Sequence, residues 1–192
     1  MSQTATPKLT AYVALGGNLG DVLASFRQAL GQLMDGGVAV VSLSSAYRTE
    51  ALRAADATEP IPDYLNAVAG VTTSLSPRAL LAKLHAIEAG LGRVRRERWA
   101  SRTLDLDLLL CGEQCLDEPD IVVPHPAMAA RLFVLRPLVE IAPEVCVPPE
   151  GHTVVTLLAR HSSVDTGILE CLRGWHPLCG SDDPGKLLRP LP

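Results

Sequence analysis

The chain has 192 residues, 47% of them apolar and 20% charged, with a formal net charge of −4. This is the balance of one ordinary globular domain, long enough to bury about two-thirds of its unfolded surface without disulfide or metal staples. It excludes a general attraction to nucleic acid or anionic membrane, so affinity for a polyanion must come from a local cluster. Five cysteines (Cys111, Cys115, Cys146, Cys171 and Cys179) are an odd number without framework spacing, which predicts a reducing compartment. No apolar run approaches the roughly 18 residues of a membrane span, and no apolar signal-like core opens the chain. The expectation is a cytoplasmic protein with no membrane partner.

Residues 9–15, LTAYVAL, are a near-continuous apolar run ending in Gly-Gly-Asn, the pattern of a central strand and its turn. Asp21 caps the next helix, in which Leu23, Phe26, Leu30 and Leu33 recur at spacings of three and four and form one apolar stripe. Gly36-Gly37 stops it. Residues 38–47 are rich in β-branched side chains and predict a second strand, and residues 51–62 have a loop composition. Alternation in 64–74 predicts a third strand, with Tyr64, Asn66 and Val68 on one face and Leu65, Ala67 and Ala69 on the other. Ser76-Pro77 starts a second helix, whose core stripe is Leu80, Leu84, Ile87 and Leu91 and whose stop is Gly92. Residues 103–111 are a fourth strand.

The order strand, helix, strand, strand, helix, strand predicts an α+β fold. It is the ferredoxin-like βαββαβ plan, a mostly antiparallel sheet with helices packed on it. A helix near 153–160 extends it at the C-terminal side. The expected organisation is one domain over residues 1–160 and a loosely ordered, Gly-, Pro- and Ser-rich tail over 161–192.

The fourth strand holds two acids in an apolar run. Alternation puts Leu104, Leu106, Leu108 and Leu110 on one face and Thr103, Asp105 and Asp107 on the other. Carboxylates two residues apart on a strand are separated by about 6.6 Å and can hold a pair of divalent ions. Oxygen-only ligands favour Mg²⁺ together with substrate phosphates; two solvated acids on an exposed face are the plainer alternative.

Just upstream, GRVRRERWASR places Arg93, Arg95, Arg96, Arg98 and Arg102 within ten residues. Guanidinium forks bind phosphate oxygens, and Trp99 offers a flat face to a heteroaromatic ring. An arginine loop leading into a two-aspartate strand meets the needs of Mg-nucleotide phosphoryl transfer. A solvated basic loop and a nucleic-acid patch remain as alternatives at this point. The second of these predicts stacking aromatics on the strands, whereas the chain has only seven aromatic residues, and it leaves Asp105 and Asp107 without a task.

Glu88, one turn before the end of the second helix, is either a surface acid or a ligand group. His125, in Val-Pro-His-Pro, has its backbone stiffened by flanking prolines. Arg131 is the one charge in an apolar surrounding and is expected to reach an anion or an acid. The segment ALGGNLGD lacks the Lys-Ser/Thr of a P-loop. Cys171, His176 and Cys179 fit no common zinc spacing.

The segments AYVALGGNLGD, SAYRTE, PDYLNAV, GRVRRERWASRTLDLDLLLCG and VPHPAMAARLFVLRPLVEIAP resemble, in this order, the family of 6-hydroxymethyl-7,8-dihydropterin pyrophosphokinases of folate biosynthesis. The resemblance implies transfer of the β,γ-diphosphate of MgATP to the hydroxymethyl oxygen of the pterin, with release of AMP. It implies two Mg²⁺ ions on Asp105 and Asp107, with Arg93, Arg95 and Arg102 as further catalytic residues. Glu88, Arg95, Trp99, Arg102, Leu108, His125 and Arg131 would contact ATP. Thr49, Leu52, Tyr64, Asn66, Trp99 and Phe133 would form the pterin pocket. The partners implied are these two small molecules, with no nucleic acid, and the expected state is a monomer. Gly17 stands where a serine is common in the family, and Asp120 where some relatives place an ATP-contacting arginine.

Overall fold

A computed structural model of the chain describes residues 8–51, 61–92, 101–161 and 167–177. Strand β1 (Leu9–Gly17) leads into helix α1 (Val22–Asp35), followed by β2 (Ala39–Leu43), β3 (Ala46–Thr49) and β4 (Tyr64–Thr73). Helix α2 (Pro77–Gly90), β5 (Asp105–Cys111), β6 (Leu116–Glu118) and β7 (Ile121–Val123) come next, then α3 (Leu132–Ile141). The small pair β8 (Cys146–Val147) and β9 (His152–Thr153), α4 (Val154–Ala159) and β10 (Ile168–Leu172) complete the order.

The helix starts follow local chemistry. The Asp21 carboxylate accepts the Ala24 amide at 2.9 Å, and the Ser76 hydroxyl accepts that of Ala79 at 3.3 Å, with Pro77 in the first turn. Each satisfies a donor that the helix itself leaves unpaired. Gly37 and Gly92 take positive φ just beyond the two helices, a conformation that side-chain-bearing residues adopt at a cost.

The main sheet runs β10-β3-β4-β1-β5, with β2 also paired to β4, and every pairing is antiparallel. Its central order is that of the ferredoxin-like plan. One face packs on α1 and α2: Ala11, Val13, Leu15, Ala67, Ala69 and Val71 meet Phe26, Leu30 and Leu33 of α1 and Leu80, Leu84 and Ile87 of α2. The other face packs on α3 and α4, where Tyr12, Val68, Leu109 and Leu110 meet Val134, Leu135, Leu138, Val154 and Leu157. Each fully buried leucine or phenylalanine contributes about 1.5–3 kcal/mol by leaving water.

The structure corrects three expectations. The strand expected over 38–47 is two strands, both paired to β4. The break falls at Ser44-Ser45, where the Ser44 amide donates to the Val68 carbonyl at 3.0 Å and the Ser44 hydroxyl accepts the Val68 amide at 2.9 Å. Leu110 does not share a face with Leu104, Leu106 and Leu108. The β1–β5 register shifts between Tyr12 and Val13, so that Leu109 and Leu110 both join the α3–α4 core and alternation resumes at Cys111. Such a bulge puts two residues opposite one.

The third correction concerns the tail. Part of the segment expected to be loosely ordered from residue 161 is built into the fold. β10 forms the sheet edge beside β3, and Trp175, 6% exposed, packs in the α1–α2 core against Phe26.

Candidate active site

Every sheet-borne residue singled out for pterin or metal lies on one face, the face shared with α3. Register explains why. Tyr47, Asn66, Gly16 and Asp105 are directly opposite one another across β3, β4, β1 and β5, and in the next row Val68, Ala14 and Asp107 align. Residues directly opposite on antiparallel strands point the same way. Thr49 and Tyr64, paired with each other, continue the face toward the sheet edge. The middle of this surface is low because Gly16 and Ala14 carry little or no side chain. A Cβ at Gly16 would sit 3.5 Å from Asn66 Oδ1 and 3.8 Å from Asp105 Cβ. The result is a shallow floor with an amide on one side and two carboxylates on the other.

The amide is fixed from behind. Asn66 is buried, and its Nδ2 donates to Thr49 Oγ1 at 2.9 Å, which leaves Oδ1 on the Gly16 side.

Around the carboxylates the chain is tied tightly. Arg102 pairs with Asp105, three residues on. The Arg102 amide donates to Asn18 Oδ1 at 2.8 Å, and its carbonyl accepts the amides of Asn18 and Leu19. Asn18 Nδ2 further reaches the Pro62 carbonyl at 3.2 Å and Ser101 Oγ at 3.1 Å. Asn18, 5% exposed, thus joins the end of β1, the approach to β4 and the approach to β5. Sequence reasoning missed it; its signal is a polar residue directly after the Gly-Gly that ends an apolar strand. Gly17 fits the same junction, since a Cβ there would lie 2.7 Å from the Thr103 carbonyl oxygen.

Glu88 is 2% exposed, and its Oε1 accepts the Leu106 amide at 2.6 Å. It supports the strand between the two aspartates and does not line the cavity described next.

Beside β5 lies an open cavity of about 300 Å³. Leu81 and His85 of α2 form one wall and Pro119–Val123 of the β6–β7 hairpin another; Asp107, Leu108 and His125 meet at one end. Arg78 of α2 pairs with both Glu118 and Asp120 and pins the hairpin. Asp120 is thus engaged in an ion pair within the protein.

The Val123-Pro124 bond is cis, and the His125 amide donates to the Leu109 carbonyl at 2.9 Å. His125 Nδ1 accepts the Ala127 amide at 3.1 Å, so the neutral ring carries its proton on Nε2. Desolvation lowers the His125 pKa from its ordinary value, assisted by Arg131 and opposed by Asp107 and Asp105. Arg131 stands at the N-cap of α3, with its guanidinium carbon 5.8 Å from the centre of the Phe133 ring. Arg93, Arg95, Trp99 and Leu52, expected at the site, lie outside the described residues.

The donor set tests the expected metal. Asp105 and Asp107 offer oxygen only, and among the described residues no group of three or more His, Cys, Asp or Glu side chains forms a cage. One or two carboxylates completed by waters and substrate phosphates suit Mg²⁺, whereas structural Zn²⁺ takes four protein ligands.

Residues 12–143 match the family described as 7,8-dihydro-6-hydroxymethylpterin-pyrophosphokinase. The chain is 39% identical over 178 residues to the 2-amino-4-hydroxy-6-hydroxymethyldihydropteridine pyrophosphokinase of Synechocystis, covering 92% of this chain and 85% of that one. It is 44% identical over 151 residues to the enzyme of the same name from Pseudomonas aeruginosa, covering 77% and 89%. Among solved structures, a Plasmodium falciparum HPPK-DHPS chain superposes with a TM-score of 0.65 at 14% identity, over 83% of this chain and 46% of that one. This chain spans less than half of that larger protein, and the likeness is one of fold. With two relatives near 40% identity along most of their length, and the family pattern running from β1 to the end of α3, the chain belongs to the 7,8-dihydro-6-hydroxymethylpterin-pyrophosphokinase family.

Proposed function

We infer that the chain is a transferase of folate biosynthesis that moves the diphosphate of ATP onto the hydroxymethyl oxygen of 6-hydroxymethyl-7,8-dihydropterin, releasing AMP. The observation that carries this reading is the row Asn66, Gly16, Asp105: a buried amide and a paired carboxylate face one another across a floor without side chains.

At the amide end, Asn66 Oδ1 accepts an N–H from the amino-pyrimidinone edge of the pterin, with Thr49 and Tyr64 beside it and Phe133 stacking on the ring. At the other end the apolar walls Leu81, Leu108 and Ile121 take the base of ATP, and His125 Nε2–H and Arg131 donate toward its phosphates. Arg102 meets the phosphate chain from its place on Asp105, which aligns the β-phosphorus with the pterin hydroxyl. Two Mg²⁺ ions on Asp105 and Asp107, when bound, supply the charge that the transferring group needs. Arg93 and Arg95 neutralise phosphate charge, Trp99 closes over the pterin opposite Phe133, and Leu52 lines the pterin pocket, as the family resemblance implies. Glu88 acts on ATP through the strand it supports. The enzyme works as a cytoplasmic monomer, a state that light scattering on a sizing column checks.

Incubation with MgATP and the hydroxymethyl-dihydropterin tests the reaction: AMP is the expected product, and ADP in its place overturns the diphosphate transfer. Asp107→Ala should abolish turnover with the fold intact; an active variant refutes the metal role.

A further inference from the structure

β3 has four residues and carries Thr49, the hydroxyl that fixes the Asn66 amide. Its two ends are held by different partners. At the N-terminal end, the Glu140 carboxylate of α3 accepts the Ser45 amide, the Ser45 hydroxyl at 2.9 Å and the Tyr47 hydroxyl at 3.0 Å. At the C-terminal end, where Thr49 sits, pairing with β4 ends at Thr49↔Tyr64, and the far edge of β3 is taken up by β10. Ile168 stands opposite Thr49 and Glu170 opposite Arg48, and the register irregularity between them brings Gly167 up to the strand end. The Glu50 amide donates to the Gly167 carbonyl at 2.9 Å, and Arg48 Nε pairs with Glu170 at 3.1 Å.

β10 is in turn tied to the core: its Leu172 packs against the core, and Trp175, just beyond the strand, is buried there. The Trp175 indole lies edge-on to Phe26 with ring centres 5.6 Å apart, and its N–H donates to the Ser44 carbonyl at 3.0 Å. The Trp175 carbonyl accepts Arg27 Nε of α1 at 3.0 Å. Trp175 therefore fastens the C-terminal segment to α1 and to the break from which β3 starts.

A strand held on one side by three residue pairs frays at its end. Fraying at Thr49 releases Asn66 Nδ2 and lets the amide rotate, so that donor and acceptor exchange places in front of the ligand. We propose that residues 167–177 are a strap that positions the pterin half of the site, with Gly167 and Trp175 acting on the substrate through Thr49 and the Asn66 amide. This rests on the assignment of Thr49 and Asn66 to the pterin.

The test compares Gly167→Ala, Trp175→Phe and Asn66→Ala by steady-state kinetics, with melting curves to establish that each is folded. Gly167 has φ +57°, so alanine there disturbs the strap end and leaves the Trp175 anchor in place. Trp175→Phe keeps a ring against Phe26 and removes the indole N–H.

Both strap variants are expected to raise the pterin KM roughly fivefold, the equivalent of about one hydrogen bond, with kcat and the ATP KM unchanged. An unchanged pterin KM, or a parallel rise in both KM values, overturns the strap. If Trp175→Phe melts below the assay temperature, the decision falls on Gly167→Ala. Asn66→Ala separates the two levels. If it leaves pterin binding intact, the pterin assignment fails and the strap with it. If it weakens binding while both strap variants are silent, the strap alone fails.

Discussion

Glu88 Oε1 lies 2.6 Å from the amide nitrogen of Leu106, the residue between Asp105 and Asp107. A helix carboxylate thus holds the backbone that sets the spacing of the two acids. Removing it with Glu88→Ala leaves a buried amide without this acceptor, which costs about 2 kcal/mol of stability and lowers kcat roughly tenfold as the strand relaxes. Glu88→Gln keeps an acceptor in place and should recover most of both. Chemical denaturation and single-turnover AMP formation measure the two effects; an Ala variant with wild-type turnover shows that the strand holds its spacing unaided.

Asn18 is the residue through which three segments meet. Asn18→Ala removes contacts to Pro62, Ser101 and the Arg102 amide. The expected cost is about 2 kcal/mol, with a higher KM for ATP because Arg102 is no longer aimed from its backbone. Urea unfolding together with ATP titration checks this, and a stable variant with normal ATP affinity contradicts it.

Gly17→Ser should destabilise the chain by about 1–3 kcal/mol, because the added Cβ meets the Thr103 carbonyl at 2.7 Å and Val22 at 3.1 Å. Differential scanning calorimetry gives the sign directly.

His125 makes a pH prediction. Its folded pKa lies below the ordinary 6.5, chiefly through desolvation, so the unfolded chain takes up a proton before the folded one does. The contribution of the neutral ring to stability is full above pH 6.5 and is lost as pH falls through the lowered folded value. Protonation on Nδ1 would also displace the Ala127 amide. An NMR titration of the ring should show the depressed midpoint, and His125→Gln should flatten the acid limb of the melting-temperature profile. A midpoint at or above 6.5 contradicts the burial argument.

Much of the site was legible because strand alternation is a local property. Asp105, Asp107, Asn66 and Tyr64 fall on one face by counting in twos, and that count is right wherever pairing is regular. It fails at Leu110, since the bulge is fixed by how β5 meets Tyr12 and Val13, which no pattern within β5 records. Glu88 was recognisable as an acid near the arginine loop, but its bond to Leu106 joins residues 18 apart in sequence through the packing of α2 on β5. Asn18 is harder to single out, because a polar residue after Gly-Gly reads as ordinary turn chemistry.

The sequence by itself determined the helix caps, the ferredoxin-like order of elements, the apolar faces and the side chains that carry the chemistry, because each depends on residues within a turn or two of one another. The tertiary structure alone decided which of these meet: the break at Ser44, the bulge at Leu109, the hairpin pinned by Arg78, and the return of Trp175 to Phe26 across about three-quarters of the chain. These are long-range pairings, selected by the burial and hydrogen bonding of the assembled fold, and local sequence carries no trace of the partner.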